Sequence, residues 1–309
     1  MSGKNVTEVV LADAAGIAKA ARILESGGLV AVPTETVYGL AARADSAAAV
    51  AKIYAAKGRP DFNPLIVHVT GEAQAARYAD LSPAALALAK AHWPGPLTMV
   101  LPRRKDAGLA EAVTAGLPTL ALRAPAHPVM RALLERLEFP LAAPSANRSG
   151  FISPTTPEHV LASLDGRIDL VLDGGPCVAG VESTIVAVRA DGSIEELRPG
   201  PLAVGVRGEG KGIETRIEAP GQLASHYAPG KPLRLGATEA EPDEFLIGFG
   251  AVAGDCTLSD SGDVNEAAAR LYACLHEAAL AAHPRIAVAP VPDDGVGRAI
   301  NDRLRRAAA

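Results

Sequence analysis

The sequence predicts an α/β protein in two parts, a twisted mixed sheet flanked by helices followed by a small Rossmann-like α/β unit. Three observations carry this. Apolar runs of four or five residues alternate with capped helical patterns through the first two thirds, the rhythm of strands and crossover helices. The stretch Ala190-Asp191-Gly192-Ser193, set between two strand-like runs, is a hairpin signal, so the sheet is mixed rather than purely parallel. Residues 205–231 are rich in Gly, Pro and charge and poor in periodic apolar content, which separates a domain at 1–204 from one at 232–309.

Element by element, Asp13 caps a helix over Ala14–Ser26 that Gly27 and Gly28 end, and Leu29–Val32 is a strand stopped by Pro33. Asp45 or Ser46 opens a helix over Ala47–Lys57 that Gly58 closes, and Asn63-Pro64 feeds the strand Leu65–Val69. Ser82 with Pro83 starts a helix to His92, and Pro94-Gly95-Pro96 ends it before the strand Leu97–Leu101. Strands at Thr119–Arg123, Pro140–Ala143 and Ile168–Leu172 alternate with helices at Pro128–Glu138 and, capped by Thr156, Pro157–Leu164. The hairpin pairs Thr184–Val188 with Ile194–Arg198. After the linker, strands at Pro232–Leu235, Phe245–Phe249 and Arg285–Ala289 alternate with helices at Asp263–Ala282 and Val296–Ala308, which reads as a small doubly wound unit.

Composition narrows the function class. The 309 residues are 49% hydrophobic and 21% charged, which excludes a largely disordered chain. No apolar run reaches the roughly 18 residues needed to span a bilayer, and the first residues lack a secretory core, so no membrane association is expected. Three widely spaced cysteines, Cys177, Cys256 and Cys274, form no CxxC pair, which argues against a disulfide framework or a zinc site and for a reduced cytoplasm. The net charge of −5 argues against broad nonspecific gripping of nucleic acid but leaves room for a local cationic pocket.

Four polar stretches sit at strand or helix ends. Pro33-Thr34-Glu35-Thr36-Val37-Tyr38-Gly39-Leu40 follows a buried strand, where α/β sheets bind ligands, although alone it reads as an ordinary turn. Lys57-Gly58-Arg59-Pro60, before Asn63-Pro64-Leu65, offers a point charge and a planar fork suited to an anion. Equally, it is a helix C-terminus complementing its dipole. Ser145-Ala146-Asn147-Arg148-Ser149-Gly150, with Ser153 close behind, lets phosphates approach the backbone, or is a Ser/Asn turn. Glu182-Ser183-Thr184 precedes the hairpin and Arg198-Pro199-Gly200 follows it. His68 on its apolar strand is, by itself, more often a core histidine than a ligand. The near P-loop Gly205–Gly212 lacks the final Ser or Thr and reads as linker; no GxGxxG follows a strand.

Four such loops are hard to explain as independent turns, and their order resembles the YrdC-like threonylcarbamoyl-AMP synthases. The linker ending in His226-Tyr227-Ala228-Pro229 and the C-terminal α/β unit are similar to the longer two-domain branch of that family. The resemblance implies an enzyme converting L-threonine, bicarbonate and ATP into threonylcarbamoyl-AMP and pyrophosphate. Partner threonylcarbamoyl transferase proteins would then modify an adenosine in tRNA, with transient tRNA contact. It also implies roles. Lys57, Arg59, Ser145 and Asn147 would be catalytic, and Thr36, His68, Arg123, Ala143 and Ser183 would surround threonine, with Arg123 on its carboxylate. ATP would meet Arg59, Asn63, Thr119, Ser145, Ser153 and Arg198 under a lid carrying Tyr227. Magnesium would come with ATP, without protein side-chain ligands.

Two rivals stand beside this expectation. A double-stranded-RNA-binding module is disfavoured by the acidic balance and the lack of stacking aromatics. A carbamoyl-transfer domain of a maturation protein would need zinc-finger and acylphosphatase-like segments that the sequence lacks.

Overall fold

A computed structural model describes residues 6–204, 218–223 and 225–309. The near P-loop Gly205–Gly212 and much of the linker lie outside the described residues. Ten strands form one sheet: β1 (Glu8–Leu11), β2 (Val30–Val32), β3 (Gly39–Arg43), β4 (Ile66–His68), β5 (Leu97–Pro102), β6 (Thr119–Arg123), β7 (Leu141–Ala142), β8 (Leu170–Asp173), β9 (Thr184–Val188) and β10 (Ile194–Arg198). Their order is β1-β8-β2-β3-β7-β4-β6-β5-β9-β10. Parallel pairs (β4 with β6, β5 with β9) alternate with antiparallel ones (β3 with β7, β9 with β10), so the sheet is mixed.

The helices of this part are α1 (Ala14–Glu25), α2 (Ala47–Lys57), α3 (Glu72–Ala75), α4 (Pro83–His92), α5 (Pro128–Leu134) and α6 (Pro157–Leu164). Their caps follow the sequence. The Asp13 carboxylate accepts from the Gly16 amide, Ser46 rather than Asp45 caps α2, and Gly58 closes α2 in the left-handed region at φ 57°. The fifth helix stops at Leu134, short of the expected Glu138. Strands β1 and β3 add to those the sequence predicts, and β3 takes in Gly39 and Leu40 from the end of the polar stretch Pro33–Leu40.

One face of the sheet is covered throughout. Leu40, Val67, Leu97, Met99, Leu122 and Val186 pack under Val50 and Ile53 of α2, Ala85 and Ala89 of α4, and Val160 and Leu164 of α6. Only half of the opposite face has a helical cover. There Ile17, Ala20 and Leu24 of α1 and Met130 and Leu133 of α5 bury Val30, Val32, Ala41, Leu141 and Leu172. Burying each such Leu or Ile contributes about 1.5–3 kcal/mol. On the remaining half, Ile66, Val100, Ala121, Ile185 and Ala187 meet no helix among the described residues; the cover described there is Ala219 of the linker, with Leu197 alongside.

The C-terminal part is a four-stranded parallel sheet, order β11-β14-β12-β13, from β11 (Leu233–Leu235), β12 (Glu244–Gly248), β13 (Cys256–Thr257) and β14 (Arg285–Val288). Both its helices, α7 (Val264–Leu280) and α8 (Gly297–Ala307), share one apolar cluster with Phe245, Ile247, Ile286 and Val288. The other face buries only Leu246 and Ala287 against Ala237 and Val252. It is therefore a single layer of helices on a sheet, not the doubly wound unit the sequence suggested. This part presses on the first: at Gly180 (φ 69°) a Cβ would lie 2.2 Å from the Ala268 carbonyl oxygen of α7.

Candidate active site

Strand direction gathers the polar loops. Because β4 and β6 are parallel and paired His68 to Arg123, those two side chains leave the sheet side by side at the carboxyl ends of their strands. An isolated bridge from Gly39 to Ser145 sets the turn after β7 beside the start of β3. The Lys57 ammonium donates to the Ser145 carbonyl at 2.6 Å and to the Asn147 carbonyl, and the Ser149 amide returns a bond to the Lys57 carbonyl at 2.9 Å. The cationic turn and the Ser/Asn turn are thus one structure.

These loops enclose a cavity of about 50 Å³, or about 540 Å³ when its mouth is counted out to solvent. Of the fourteen residues singled out from sequence, nine line it: Thr36, Arg59, His68, Arg123, Ala143, Ser145, Ser183, Arg198 and Tyr227. Five do not. The Lys57 ammonium is spent on two carbonyls, and Asn147 Nδ2 on the carbonyls of Arg148 and Phe151, so both shape the turn rather than face the cavity. Ser153 donates to Glu182 at 2.5 Å. Thr119 starts β6 and shares its sheet face with Ala121 and Arg123, along the half that lacks a helix. Asn63, buried behind Arg59, finds no partner for either side-chain polar atom.

That last feature recurs. Among the described residues eight buried side-chain polar atoms lack a hydrogen bond, and six of them belong to Asn63, His68, Asn147, His226 and Tyr227. An unpaired buried polar group costs about 1–3 kcal/mol. Three of these atoms, on His68, His226 and Tyr227, belong to residues that line the cavity, while those of Asn63 and Asn147 lie in the turns behind it; unpaired polar groups on a cavity wall are what a site shaped for a polar ligand looks like.

On one side of the cavity Arg123 is already engaged. Its guanidinium donates to Glu35 at 2.6 Å and to the Thr36 hydroxyl at 2.9 Å, while the second Glu35 oxygen accepts from the Ala126 and His127 amides. Burial pushes the Glu35 carboxyl up, but Arg123 outweighs it and the net shift is downward. The Arg123 expected on a carboxylate thus already has one inside the protein: a buried guanidinium needs a counter-charge, and Glu35 supplies it. Burial and then Arg123 push His68 down to about 3, so its ring is neutral near pH 7.

On the other side lie Arg59 and Arg198. Arg59 donates to the carbonyls of Asn63 and Pro64, and burial lowers it to about 10. Arg198 donates to the Ser183 carbonyl at 2.9 Å, to the Ser183 hydroxyl at 3.2 Å and to the Pro220 carbonyl at 3.3 Å. Ser183 and Thr98 share a hydrogen bond at 2.7 Å. Above them runs a strap, residues 218–223 and 225–230. Tyr227, at φ 64°, is buried there, and the space at Gly221 is tight enough that a Cβ would sit 2.8 Å from the Tyr227 hydroxyl. Glu182 closes the floor: it accepts from Ser153, from Tyr272 of α7 at 2.8 Å and from Arg303 of α8 at 3.0 Å.

Residues 22–200 match the family described as "Telomere recombination", which groups Sua5, YciO and YrdC proteins, and residues 192–309 match "Threonylcarbamoyl-AMP synthase, C-terminal domain". A Bacillus subtilis protein named threonylcarbamoyl-AMP synthase is 40% identical over 98% of this chain and 96% of its own length. The chain belongs to the threonylcarbamoyl-AMP synthase family. A second relative of that name, from Pyrococcus abyssi, is 37% identical over 93% of this chain and 92% of its own length. The solved structure of P. abyssi Sua5 complexed with L-threonine superposes with a TM-score of 0.86 at 36% identity, covering 98% of this chain and 97% of that one. Full-length HypF, at 24% identity and a TM-score of 0.54, is alike in fold alone.

For a member of this enzyme family, the sequence reading missed residues that the structure puts in contact with the site. Glu35 and Thr98 hold Arg123 and Ser183, while Tyr272 and Arg303 reach in from the C-terminal helices. Arg303 carried a usable signal: it falls on the apolar stripe of α8 with Ala299, Ile300 and Ala307, where a charge must have a buried partner. Among the described residues no cluster of three His, Cys, Asp or Glu is arranged for a metal, and no helix is long and apolar enough to cross a membrane.

Proposed function

We propose that this chain is an L-threonylcarbamoyladenylate synthase, a cytoplasmic nucleotidyltransferase that makes threonylcarbamoyl-AMP and pyrophosphate from L-threonine, bicarbonate and ATP. The product would feed a separate transferase acting on an adenosine of tRNA. The observation that carries this reading is a cavity lined by Arg59, Arg123 and Arg198, with unpaired buried polar atoms on its lining residues His68, His226 and Tyr227. Residues 1–204 would form the catalytic domain, 205–231 the lid and 232–309 a domain that supports both.

The threonine amine attacks the bicarbonate carbon, water departs, and the carbamate oxygen so formed attacks the α-phosphorus of ATP with loss of pyrophosphate. No protein nucleophile is required; the enzyme positions three reactants and meets developing negative charge. Thr36, neutral His68, the backbone at Ala143 and Ser183 would hold threonine, the Arg123–Glu35 pair presenting its remaining N–H groups. Arg59, Asn63, Ser145, Ser153 and Arg198 would hold the nucleotide. Thr119 lies further along the same sheet face, where the base can stack against Ile66, Ala121 and Ile185. Lys57 and Asn147 would act by fixing the Ser145 turn.

Magnesium would enter as part of the nucleotide substrate. The carboxylates nearest the cavity, Glu35 and Glu182, have their oxygens committed to Arg123, two amides, Arg303, Ser153 and Tyr272, which suits an ion held by phosphates. Inside its mouth the cavity's 50 Å³ has room for only about three or four waters. ATP would therefore enter by displacing residues 218–230, after which Tyr227 closes over it. Incubating the protein with ATP, threonine and bicarbonate, omitting each in turn, tests the reading: pyrophosphate and the adenylate should form only in the complete mixture. Product formed without threonine or bicarbonate would refute it.

A further inference from the structure

Three pieces of the cavity wall meet on one residue of the C-terminal part. Arg303, in the middle of α8, is fully buried. Its Nε donates to the Glu182 carboxylate at 3.0 Å, and its Nη1 donates to the Pro199 carbonyl at 2.7 Å and to Asp302 at 2.9 Å. Its guanidinium also lies 5.7 Å from the Tyr227 ring centroid. It thus touches the lead-in to β9, the exit from β10 and the strap.

We infer that Arg303, acting through Glu182 and Pro199 and assisted by Tyr272, is a positioning residue for the nucleotide half of the site, so that the C-terminal domain completes the active site as well as anchoring the linker. The inference rests on the proposed synthase reading for what the nucleotide half binds. The chain of contacts is short. Glu182 takes its hydrogen bonds from Arg303, Tyr272 and the Ser153 hydroxyl. The next residue, Ser183, is gripped by Arg198 through its carbonyl and its hydroxyl. Pro199 follows Arg198 directly, and Gly200 packs so closely on this lead-in that a Cβ there would lie 2.2 Å from the Thr184 nitrogen. Moving α8 therefore moves Ser153, Ser183 and Arg198 together.

Electrostatics ties the arrangement to charge. Burial pushes the Glu182 carboxyl up, yet Arg303, then Arg198, then the Ser153 and Tyr272 hydroxyls outweigh it and leave it at about 2. Facing it from α8 is Arg303, from α7 Tyr272, from β10 Arg198, from the strap Tyr227 and His226, and from the loop before α6 Ser153. Arg303→Met removes the largest of these lowering interactions, so the carboxyl rises. In the parent it is charged at every working pH; in the variant it protonates as the pH falls toward its raised value, so Ser153 loses its carboxylate acceptor and Arg198 a nearby counter-charge.

The test is Arg303→Met in the full chain, with ATP affinity measured by calorimetry and pyrophosphate release followed from pH 6 to pH 8. The expected result is an ATP affinity weakened about 10- to 100-fold, a little-changed threonine KM, and an acid-side loss of activity absent from the parent. Adding Glu182→Gln should abolish that acid-side loss, since an amide does not titrate there. If Arg303→Met does not fold, Tyr272→Phe carries the test, with a smaller shift in the same direction. Parent-like ATP affinity and pH profile, or losses that only follow the unfolded fraction, would overturn the inference. A parent that releases no pyrophosphate with the three substrates would instead overturn the synthase reading, while ATP binding would still report on Arg303.

Discussion

The two halves of one sheet face are made of the same kind of residue and covered in opposite ways. Under α1 and α5, Val30, Val32, Leu141 and Leu172 are sealed by helices whose apolar stripes have no other use. Across β4, β6, β5 and β9, Ile66, Ala121, Ile185 and Ala187 are met, among the described residues, by Ala219 of a strap that hangs on polar contacts, with Leu197 alongside. Arg198 holds the Pro220 carbonyl, Arg306 the Leu223 carbonyl, Arg189 the Glu218 carboxylate, and the Gly150 carbonyl accepts from the Ala228 amide. Hydrophobic burial fixes the first half permanently, whereas the second has a cover that a charged ligand can replace with its own contacts. With the proposed nucleotide site on the second half, stability and function fall to neighbouring regions of a single surface.

Substitutions can break that division. Arg59→Ala on the strap side should lower turnover about 10²–10³-fold while the melting temperature falls little, because it removes charge stabilisation rather than core. The contrasting change is Leu133→Ala under the helices. It should cost about 2–5 kcal/mol of stability by denaturant melt with turnover per folded molecule unchanged. If the two effects were interchanged, the division of labour would be wrong.

Acid should find the strap side first. Burial holds His68 and His226 at about 3, and burial and then His159, stacked on it at 3.8 Å, hold His276 at about 4. Since these folded-state values lie below the unfolded value of 6.5, the unfolded chain takes up protons first as the pH falls. Stability is complete above about pH 6.5 and declines below it, by about 2 kcal/mol per histidine at pH 5. Thermal melts at pH 7.5 and pH 5 measure this, and a flat profile would mean that these rings are not buried neutral. The smallest effect belongs to Tyr227→Phe, which removes a hydroxyl without a partner. The free protein should keep its stability or gain up to about 1 kcal/mol. The rise in melting temperature that ATP induces should shrink.

Much of the fold was legible because it is written locally. Ser82 with Pro83, Thr156 with Pro157 and Gly58 punctuate helices wherever they occur, and the Asp191-Gly192 turn dictates its hairpin. Strand β3 was not legible: Gly39-Leu40-Ala41-Ala42-Arg43 has no β-branched residue, and it is a strand only because β2 and β7 lie on either side of it. In the site, residue types pointed to the right loops, but not to where each side chain is spent. Lys57 looks like a free cation in sequence; in space two carbonyls take its ammonium, and burial followed by Arg59 pulls its pKa well below the lysine value. Glu35 and Arg303 acquire their meaning only from partners 88 and 121 residues away.

If the half of the sheet without a helix is the nucleotide's place, the strap must yield it. A crystal structure with a non-hydrolysable ATP analogue and L-threonine measures this. The base should lie over Ile66, Ala121 and Ile185, the phosphates between Arg59 and Arg198, and residues 219–221 should have moved off the sheet. A nucleotide bound elsewhere, with Ala219 still seated on Ile185, would contradict it.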